Sequence, residues 1–205
     1  EDEDSNSRTS TGTINASLGA ATGVWMSITG GGALTVAVDS STRKEDIVVA
    51  GAADQTVSKF KFTATDEAFM VKELSINARQ GGVAATNLGD YDNNIARVEI
   101  SYTNSAGVTE TKSSALTQGT ANFSGMDFWI DKDDDAMLTV MADLNTISGG
   151  AAAGEFVDLN IAFNQFEAVA QGSGETYKAD KIDATVATTS DLDFGTPTFT
   201  DADGV

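Results

Sequence analysis

The sequence predicts an all-β fold, an immunoglobulin-like antiparallel β-sandwich preceded by an extended N-terminal arm. Apolar and polar residues alternate along most of the chain, and no window of helical length carries an apolar stripe with a 3.6-residue period. Turn residues separate these runs about every 10 to 15 residues, which is typical of a sandwich. The single proline, Pro197, leaves the rest of the chain free to pair.

Five alternating runs supply the predicted core. The residues expected on the buried faces of these strands are Leu34, Val36 and Val38; Phe60, Phe62 and Ala64; Ala96, Val98, Ile100 and Tyr102; Leu138, Val140, Ala142 and Leu144; and Val157, Leu159, Ile161 and Phe163. In AFMVKELSI the apolar residues change face between Val71 and Leu74, which predicts a β-bulge near Lys72 and Glu73. The segment NSAG at 104–107 predicts a tight hairpin.

The composition divides the chain into three parts. Residues 1–22 are mostly polar with few apolar residues. They are predicted to form an extended arm able to act as a donor strand for a neighbouring copy. Residues 23–190 are predicted to form the β-sandwich, and residues 191–205 a C-terminal tail outside it.

The charge restricts the partners. The chain has 31 acidic and 12 basic residues, a formal net charge of −19, which would repel nucleic acid and anionic lipid. No apolar stretch approaches the ~18 residues that span a bilayer, so we expect no membrane insertion. The polar start at Glu1 predicts a secreted, processed protein at the cell surface, with a trimmed chain as the alternative.

The residue types that are missing also exclude several kinds of site. Without cysteine or histidine, the chain has no disulfide, no thiol nucleophile, no Ser-His-Asp triad and no ordinary zinc or copper site. Two acids, Asp127 and Asp131, flank Trp129 as a glycosidase pair would, but a hairpin tip offers no cleft to desolvate a carboxylate. We therefore predict that the protein is not an enzyme.

The segment WIDKDDDAMLTV carries the strongest candidate site. Asp131, Asp133 and Asp135 have the D-x-D-x-D spacing of an EF-hand loop, but Ala136 replaces the required glycine and Ala142 the bidentate glutamate. An EF-hand is therefore excluded. A looser calcium site on these three aspartates and a plain solvated hairpin tip both remain open. Calcium is the only cofactor that the sequence suggests.

Weaker candidates lie elsewhere. The C-terminal TDADG, with Asp201 and Asp203, is also calcium-like but would need further ligands. Aromatic residues that could stack on sugars are Trp25, Trp129, Tyr91, Tyr102 and Tyr177, of which Tyr102 is expected to be buried. Asn15 and Asn122 lie in glycosylation sequons.

A longer pattern resembles a known module. The elements DSST, VVAG, KFKFTAT and K-x-L-x-I, followed by ARVEISYTNSAGVTETKSSA and MDFWIDKDDDAMLTVMADL, resemble a module of large surface proteins of Patescibacteria-type bacteria, over residues 33–170. This resemblance implies an immunoglobulin-like sandwich in S-layer, adhesin or pilus-like components, with no catalytic residue. The layout of arm and sandwich also resembles donor-strand extracellular fibre subunits.

Two functions follow as expectations. The first is a structural subunit that associates head-to-tail with copies of itself into an extracellular filament or surface layer, through β-strand complementation. The second is an adhesin or carbohydrate-binding surface module that binds cell-surface glycans.

Overall fold

The structure is a computed structural model that describes residues 13–16, 24–27, 32–42, 45–79, 93–152, 156–178 and 198–201. These residues form strands and no α-helix. The strands are β1 (Thr13–Ala16), β2 (Val24–Ser27), β3 (Ala33–Val38), β4 (Glu45–Val48), β5 (Gln55–Thr65), β6 (Phe69–Arg79), β7 (Ile95–Thr103), β8 (Thr109–Ser114), β9 (Thr120–Phe123), β10 (Phe128–Ile130), β11 (Asp135–Leu144), β12 (Phe156–Ala170), β13 (Thr176–Lys178) and β14 (Thr198–Asp201).

Two sheets form the sandwich. One has the order β3-β5-β11-β7-β8, and the other the order β10-β6-β12-β14-β4, with β9 also paired to β6 and β13 to β12. The sheets face each other: the Phe62 ring of β5 lies 5.0 Å from Phe128 and 6.4 Å from Phe166 of the other sheet. The hydroxyl of Ser58 donates to the carbonyl of Leu159 at 3.0 Å. The predicted all-β sandwich is confirmed.

Most of the predicted inward faces are also confirmed. The buried residues include Leu34, Val36, Phe60, Phe62, Ala64, Val98, Ile100, Tyr102, Leu138, Val140, Ala142, Leu159 and Ile161. Val38 and Leu144 are half-buried against the same core, whereas the side chains of Val157 and Phe163 lie outside the described residues.

Ala96 is the exception among these inward residues. It is exposed, and Ile95 takes its place in the core. The pairing of β7 with β11 shifts here, from Arg97 with Asp143 to Ile95 with Leu144. Ala96 is therefore an extra residue on β7, and a bulge of this kind turns the residues before it to the other face.

The bulge predicted near Lys72 is present. Val71 pairs with Ala168 of β12 and Glu73 with Glu167, so β6 carries one extra residue at Lys72. The carbonyl of Lys72 accepts the N–H of Met126 at 2.9 Å. Because this contact lies between β9 and β10, the bulge divides the edge of the sheet into two short strands.

The described segments nearest the two ends of the chain are also paired. β1 and β2 form a separate two-stranded antiparallel sheet, so the predicted boundary at residue 22 falls inside one hairpin. β14 lies between β12, to which it is antiparallel, and β4, to which it is parallel. The predicted tail 191–205 thus contributes a strand to the sandwich, because the backbone groups of 198–201 find partners on both sides. No helix in the described ranges is long and apolar enough to cross a bilayer.

Candidate functional site

Two chain crossings meet at one end of the sandwich. β5 continues into β6, and β10 into β11, and each pair of strands belongs to different sheets. The two connections touch: the N–H of Asp66 donates to Asp133 Oδ1 at 2.8 Å, and the N–H of Ala64 to the carbonyl of Asp134 at 3.0 Å. The aspartate segment is therefore a corner between sheets and not the hairpin tip that the sequence predicts, because β10 and β11 each find a different partner strand.

The three predicted calcium ligands each have a protein partner. Asp131 accepts the indole N–H of Trp129 at 2.8 Å, and Asp133, at φ 58°, accepts the N–H of Asp66. Asp135 accepts the hydroxyl of Thr63 and pairs with the ammonium of Lys61 at 3.1 Å. These two donors, Thr63 first, hold the pKa of Asp135 below its ordinary value.

The described residues contain no group of three or more acidic side chains arranged to hold a metal ion. Calcium binding at Asp131, Asp133 and Asp135 stays a prediction, and it would require the present hydrogen bonds to be exchanged for metal ligation. Asp201 lies in β14, opposite Val48 of β4, while Asp203 lies outside the described residues.

An open groove of about 560 Å³ lies beside the aspartate corner. We call it the corner groove. One wall is the hairpin between β7 and β8, and the other is the start of β11 with Trp129. Its lining residues are Thr103, Asn104, Ser105, Ala106, Gly107, Trp129, Asp131, Asp134, Asp135, Ala136 and Met137. A cleft therefore lies beside the aspartate corner, although Asp131, Asp134 and Asp135 are all exposed in it.

Hydrogen bonds fix both walls of the corner groove. Asn104 Oδ1 accepts the N–H groups of Ala106 and Val108, each at 3.0 Å, so the predicted NSAG hairpin is confirmed. The hydroxyl of Ser105 donates to Asp127 Oδ2 at 2.5 Å, which joins the hairpin tip to the segment just before β10. Side chains held in this way present a preformed surface to a ligand.

Trp129 supplies the aromatic surface of the groove. Its neighbours Phe128 and Ile130 are fully buried, and strand alternation turns Trp129 to the outer face, where it is half-buried. Its indole N–H donates to Asp131, which restrains the orientation of the ring. A half-exposed tryptophan of this kind combines an apolar face with a satisfied polar edge.

A second carboxylate lies near the same end of the sandwich and has no counterpart among the predicted sites. Glu67, in the β5–β6 connection, is 9% exposed and accepts four hydrogen bonds. Its Oε1 accepts the N–H of Gly32 at 2.6 Å and the Ser173 hydroxyl at 3.0 Å, and its Oε2 accepts the N–H groups of Gly172 at 2.9 Å and Ser173 at 2.7 Å. We call these four residues the Glu67 cluster.

The Glu67 cluster fixes the beginning of β3. Burial alone would raise the pKa of Glu67, but the hydrogen bonds from Gly32, Ser173 and Gly172 outweigh it and hold that pKa below the ordinary value of 4.5. The carbonyl of Gly32 accepts the hydroxyl of Tyr177, so both backbone groups of Gly32 are held. A Cβ at Gly32 would lie 2.4 Å from the Thr65 carbonyl oxygen, which explains the glycine.

The other aromatic candidates do not form a sugar-binding surface in the described structure. Tyr177 is half-buried and packs edge-on against Phe69 at 5.1 Å. Tyr102 is buried as predicted, and burial, with a contribution from the charge of Glu110, raises its pKa to about 12. Trp25 lies in β2, its side chain outside the described set, and Tyr91 is likewise outside it.

The two sequons lie in strands. Asn15 is in β1 and pairs with Trp25, and its side chain is not described. Asn122 is exposed in β9, and its Oδ1 accepts the hydroxyl of Ser75 at 2.8 Å.

Comparison with known proteins identifies no family. No family model and no curated protein matches the chain. Among solved structures, it is similar to a family 123 glycoside hydrolase from Clostridium perfringens (TM-score 0.35, 12% identity, 82% of this chain and 27% of that chain). It is also similar to the CupB6 tip adhesin from Pseudomonas aeruginosa (TM-score 0.23, 15% identity, 78% of this chain and 49% of that chain). The chain thus spans less than half of each of these two proteins, and likenesses this weak carry no argument about function.

Proposed function

We propose that the chain is a non-enzymatic structural subunit of an extracellular filament or surface layer. Copies associate head-to-tail because an N-terminal strand of one copy pairs with an open sheet edge of the next. The observation that carries this proposal is the character of β3, an edge strand without the usual protection against pairing.

β3 has the properties of an acceptor edge. Among the described strands it pairs with β5 alone, and its six residues, ALTVAV, include no charge and no proline. Leu34 and Val36 point into the core, while Ala33, Thr35 and Ala37 are exposed and small. Proteins normally protect a long apolar edge with charges, proline or a bulge, because its free N–H and C=O groups pair with any extended chain.

The other described edges of the two sandwich sheets are better protected. β8 carries Glu110 and Lys112, and β4 carries Glu45 and Asp46. β9 and β10 lack charges, but they are four and three residues long and separated by the bulge at Lys72. Short or charged edges are the natural means of avoiding strand addition. The contrast favours β3 as the surface where a copy would add.

The Glu67 cluster supports the same assignment. Together with Tyr177, it holds both backbone groups of Gly32, the residue that precedes β3, so the start of β3 is fixed before any partner arrives. A preorganised edge costs less ordering free energy on binding than a mobile one.

The N-terminal segment is the proposed donor. β1 and β2 form a two-stranded sheet of their own, and an isolated two-stranded hairpin is at best marginally stable in water. If β1 left β2 to pair with the β3 edge of a neighbouring copy, the free energy lost by breaking the β1–β2 hairpin would therefore be small. The edge of one copy and the arm of another are different surfaces, and contacts of this heterologous kind generate open fibres.

The charge and the resemblance support a location outside the cell. A net charge of −19 limits irregular clumping of subunits held at high local concentration, and divalent cations can bridge carboxylates there. The surface-protein resemblance of residues 33–170 points to the same place.

Deleting residues 1–22 tests the donor. We expect the full chain to form elongated polymers in negative-stain electron microscopy and the deletion variant to remain monomeric by light scattering. A synthetic peptide of residues 1–22, added in excess to the full chain, should occupy the acceptor edge and shorten the polymers. A scrambled peptide of the same composition is the control. Polymers that persist after the deletion would overturn strand exchange through this arm.

A further inference from the structure

The corner groove has a property that the proposed assembly does not use. It combines an aromatic face with hydrogen-bond acceptors on a fixed surface that shares no residue with β3. Asp131, Asp134 and Asp135 line it beside Trp129, and no basic residue is among its lining residues. Its volume of about 560 Å³ lies within the ~300–1,000 Å³ of small-ligand sites.

We propose that the corner groove binds a saccharide that carries free amino groups, an amino-sugar chain. The ring of such a sugar has an apolar face that fits the exposed side of Trp129, and an ammonium group over an indole is attracted by the ring quadrupole. Its hydroxyl and ammonium groups are donors, and the carboxylates of Asp131 and Asp134 are acceptors on the adjacent wall.

Charge complementarity selects the class of sugar. Asp135 is already paired with Lys61, whereas Asp131 and Asp134 form no ion pair with another described residue. An acidic sugar would be repelled by these carboxylates and by the net charge of −19. A neutral N-acetylated sugar would keep the stacking but lose the ionic attraction.

A saccharide fits the site better than a basic peptide. A lysine side chain reaches a carboxylate on a flexible four-carbon stem, and it loses that freedom when it binds. A sugar ring is already rigid, and it presents an apolar face and several donors together. Ligands that are rigid in their bound form lose less entropy.

Tryptophan fluorescence locates the binding directly. The chain has two tryptophans, so a Trp25→Phe variant leaves Trp129 as the reporter. At pH 6, we expect a tetramer of glucosamine to change this fluorescence saturably, with a dissociation constant of about 1 mM or tighter. The tetramer of N-acetylglucosamine should bind at least about threefold more weakly. A galacturonate tetramer should not bind, and tetralysine should bind more weakly than glucosamine.

Titration calorimetry on the full chain separates the contribution of the Trp129 ring to sugar binding from that of the Asp131 charge. Trp129→Ala should weaken glucosamine-tetramer binding at least about tenfold. Asp131→Asn keeps an acceptor for the indole N–H and removes only the charge, so it should weaken binding about two- to fivefold while the fold is unchanged. The matched control is Asp54→Asn, an exposed aspartate next to the far end of β5, about 30 Å away. It should bind as the parent chain does.

Several results would overturn the proposal. They are the absence of a saturable signal at 10 mM sugar, unchanged affinity in Trp129→Ala or Asp131→Asn, and equal binding of the acetylated or acidic tetramer. Tetralysine binding as tightly as the sugar would assign the groove to basic peptides instead. β3 and the corner groove share no residue, so none of these results bears on the assembly.

Discussion

Replacing Glu67 with glutamine removes one negative oxygen from a site that holds four donors. The glutamine oxygen will lie towards Gly172 and Ser173, because both backbone groups there only donate. Its NH₂ group then faces the N–H of Gly32, which bonds to the carboxylate at 2.6 Å in the native chain. One buried charge-assisted hydrogen bond is lost and one donor is left unpaired, which costs about 1.5–3 kcal/mol of unfolding free energy.

Urea unfolding at neutral pH measures this cost, and its pH dependence gives an independent check. The folded-state pKa of Glu67 is below 4.5, so its stabilisation is present above that value and is lost as the pH falls through the folded pKa. The difference between the native chain and Glu67→Gln should therefore be largest near pH 7 and shrink towards pH 3.

The control for this experiment is Asp54→Asn, which changes an exposed carboxylate far from the Glu67 cluster and should stay within about 0.5 kcal/mol of the native chain. A Glu67→Gln variant as stable as the native chain, or a difference that does not vary with pH, would refute the described hydrogen bonding.

Three further substitutions test other parts of the fold by the same urea titration. Gly32→Ala should cost about 1–3 kcal/mol, because its Cβ would approach the Thr65 carbonyl oxygen to 2.4 Å; native stability would contradict that contact. Phe128→Ala should cost about 3–5 kcal/mol, because its ring is fully buried against Phe62, and a loss below 1 kcal/mol would mean that the two sheets do not pack there. Asp133 has a φ of 58°, so Asp133→Gly should be about 1 kcal/mol more stable than Asp133→Ala, and equal stabilities would contradict the left-handed conformation.

The sequence predicts well those features that depend on neighbouring residues. Strand alternation is local, so the inward positions of β5 and β11 follow from the pattern alone. The change of face between Val71 and Leu74 is also local, and it places the bulge at Lys72. The prediction that Ala96 is buried was wrong because Ile95 and Ala96 are both apolar, so the local pattern does not reveal the bulge at Ala96.

The sequence does not predict features that depend on which strands become partners. The aspartate segment looks like a hairpin tip because two apolar runs flank it, yet β10 and β11 belong to different sheets. Glu67 receives its donors from Gly32, 35 positions before it, and from Ser173, 106 positions after it. No rule based on sequence spacing connects residues so far apart. The corner groove likewise needs the β7–β8 hairpin beside Trp129, a contact set by the packing of one sheet on the other.

The most direct test of the account changes the β3 edge alone. A Thr35→Lys, Ala37→Lys double variant places two charges on exposed positions of this strand and leaves the buried Leu34 and Val36 intact. Its matched control, Thr111→Lys, adds a charge to the edge strand β8, which is already charged. Negative-stain microscopy should show polymers for the native chain and the control, and monomers for the double variant. Because Ala37 pairs directly with Lys61, a second lysine there should lower the urea stability by no more than about 1 kcal/mol. Polymers of native length from the double variant would contradict β3 as the site of assembly.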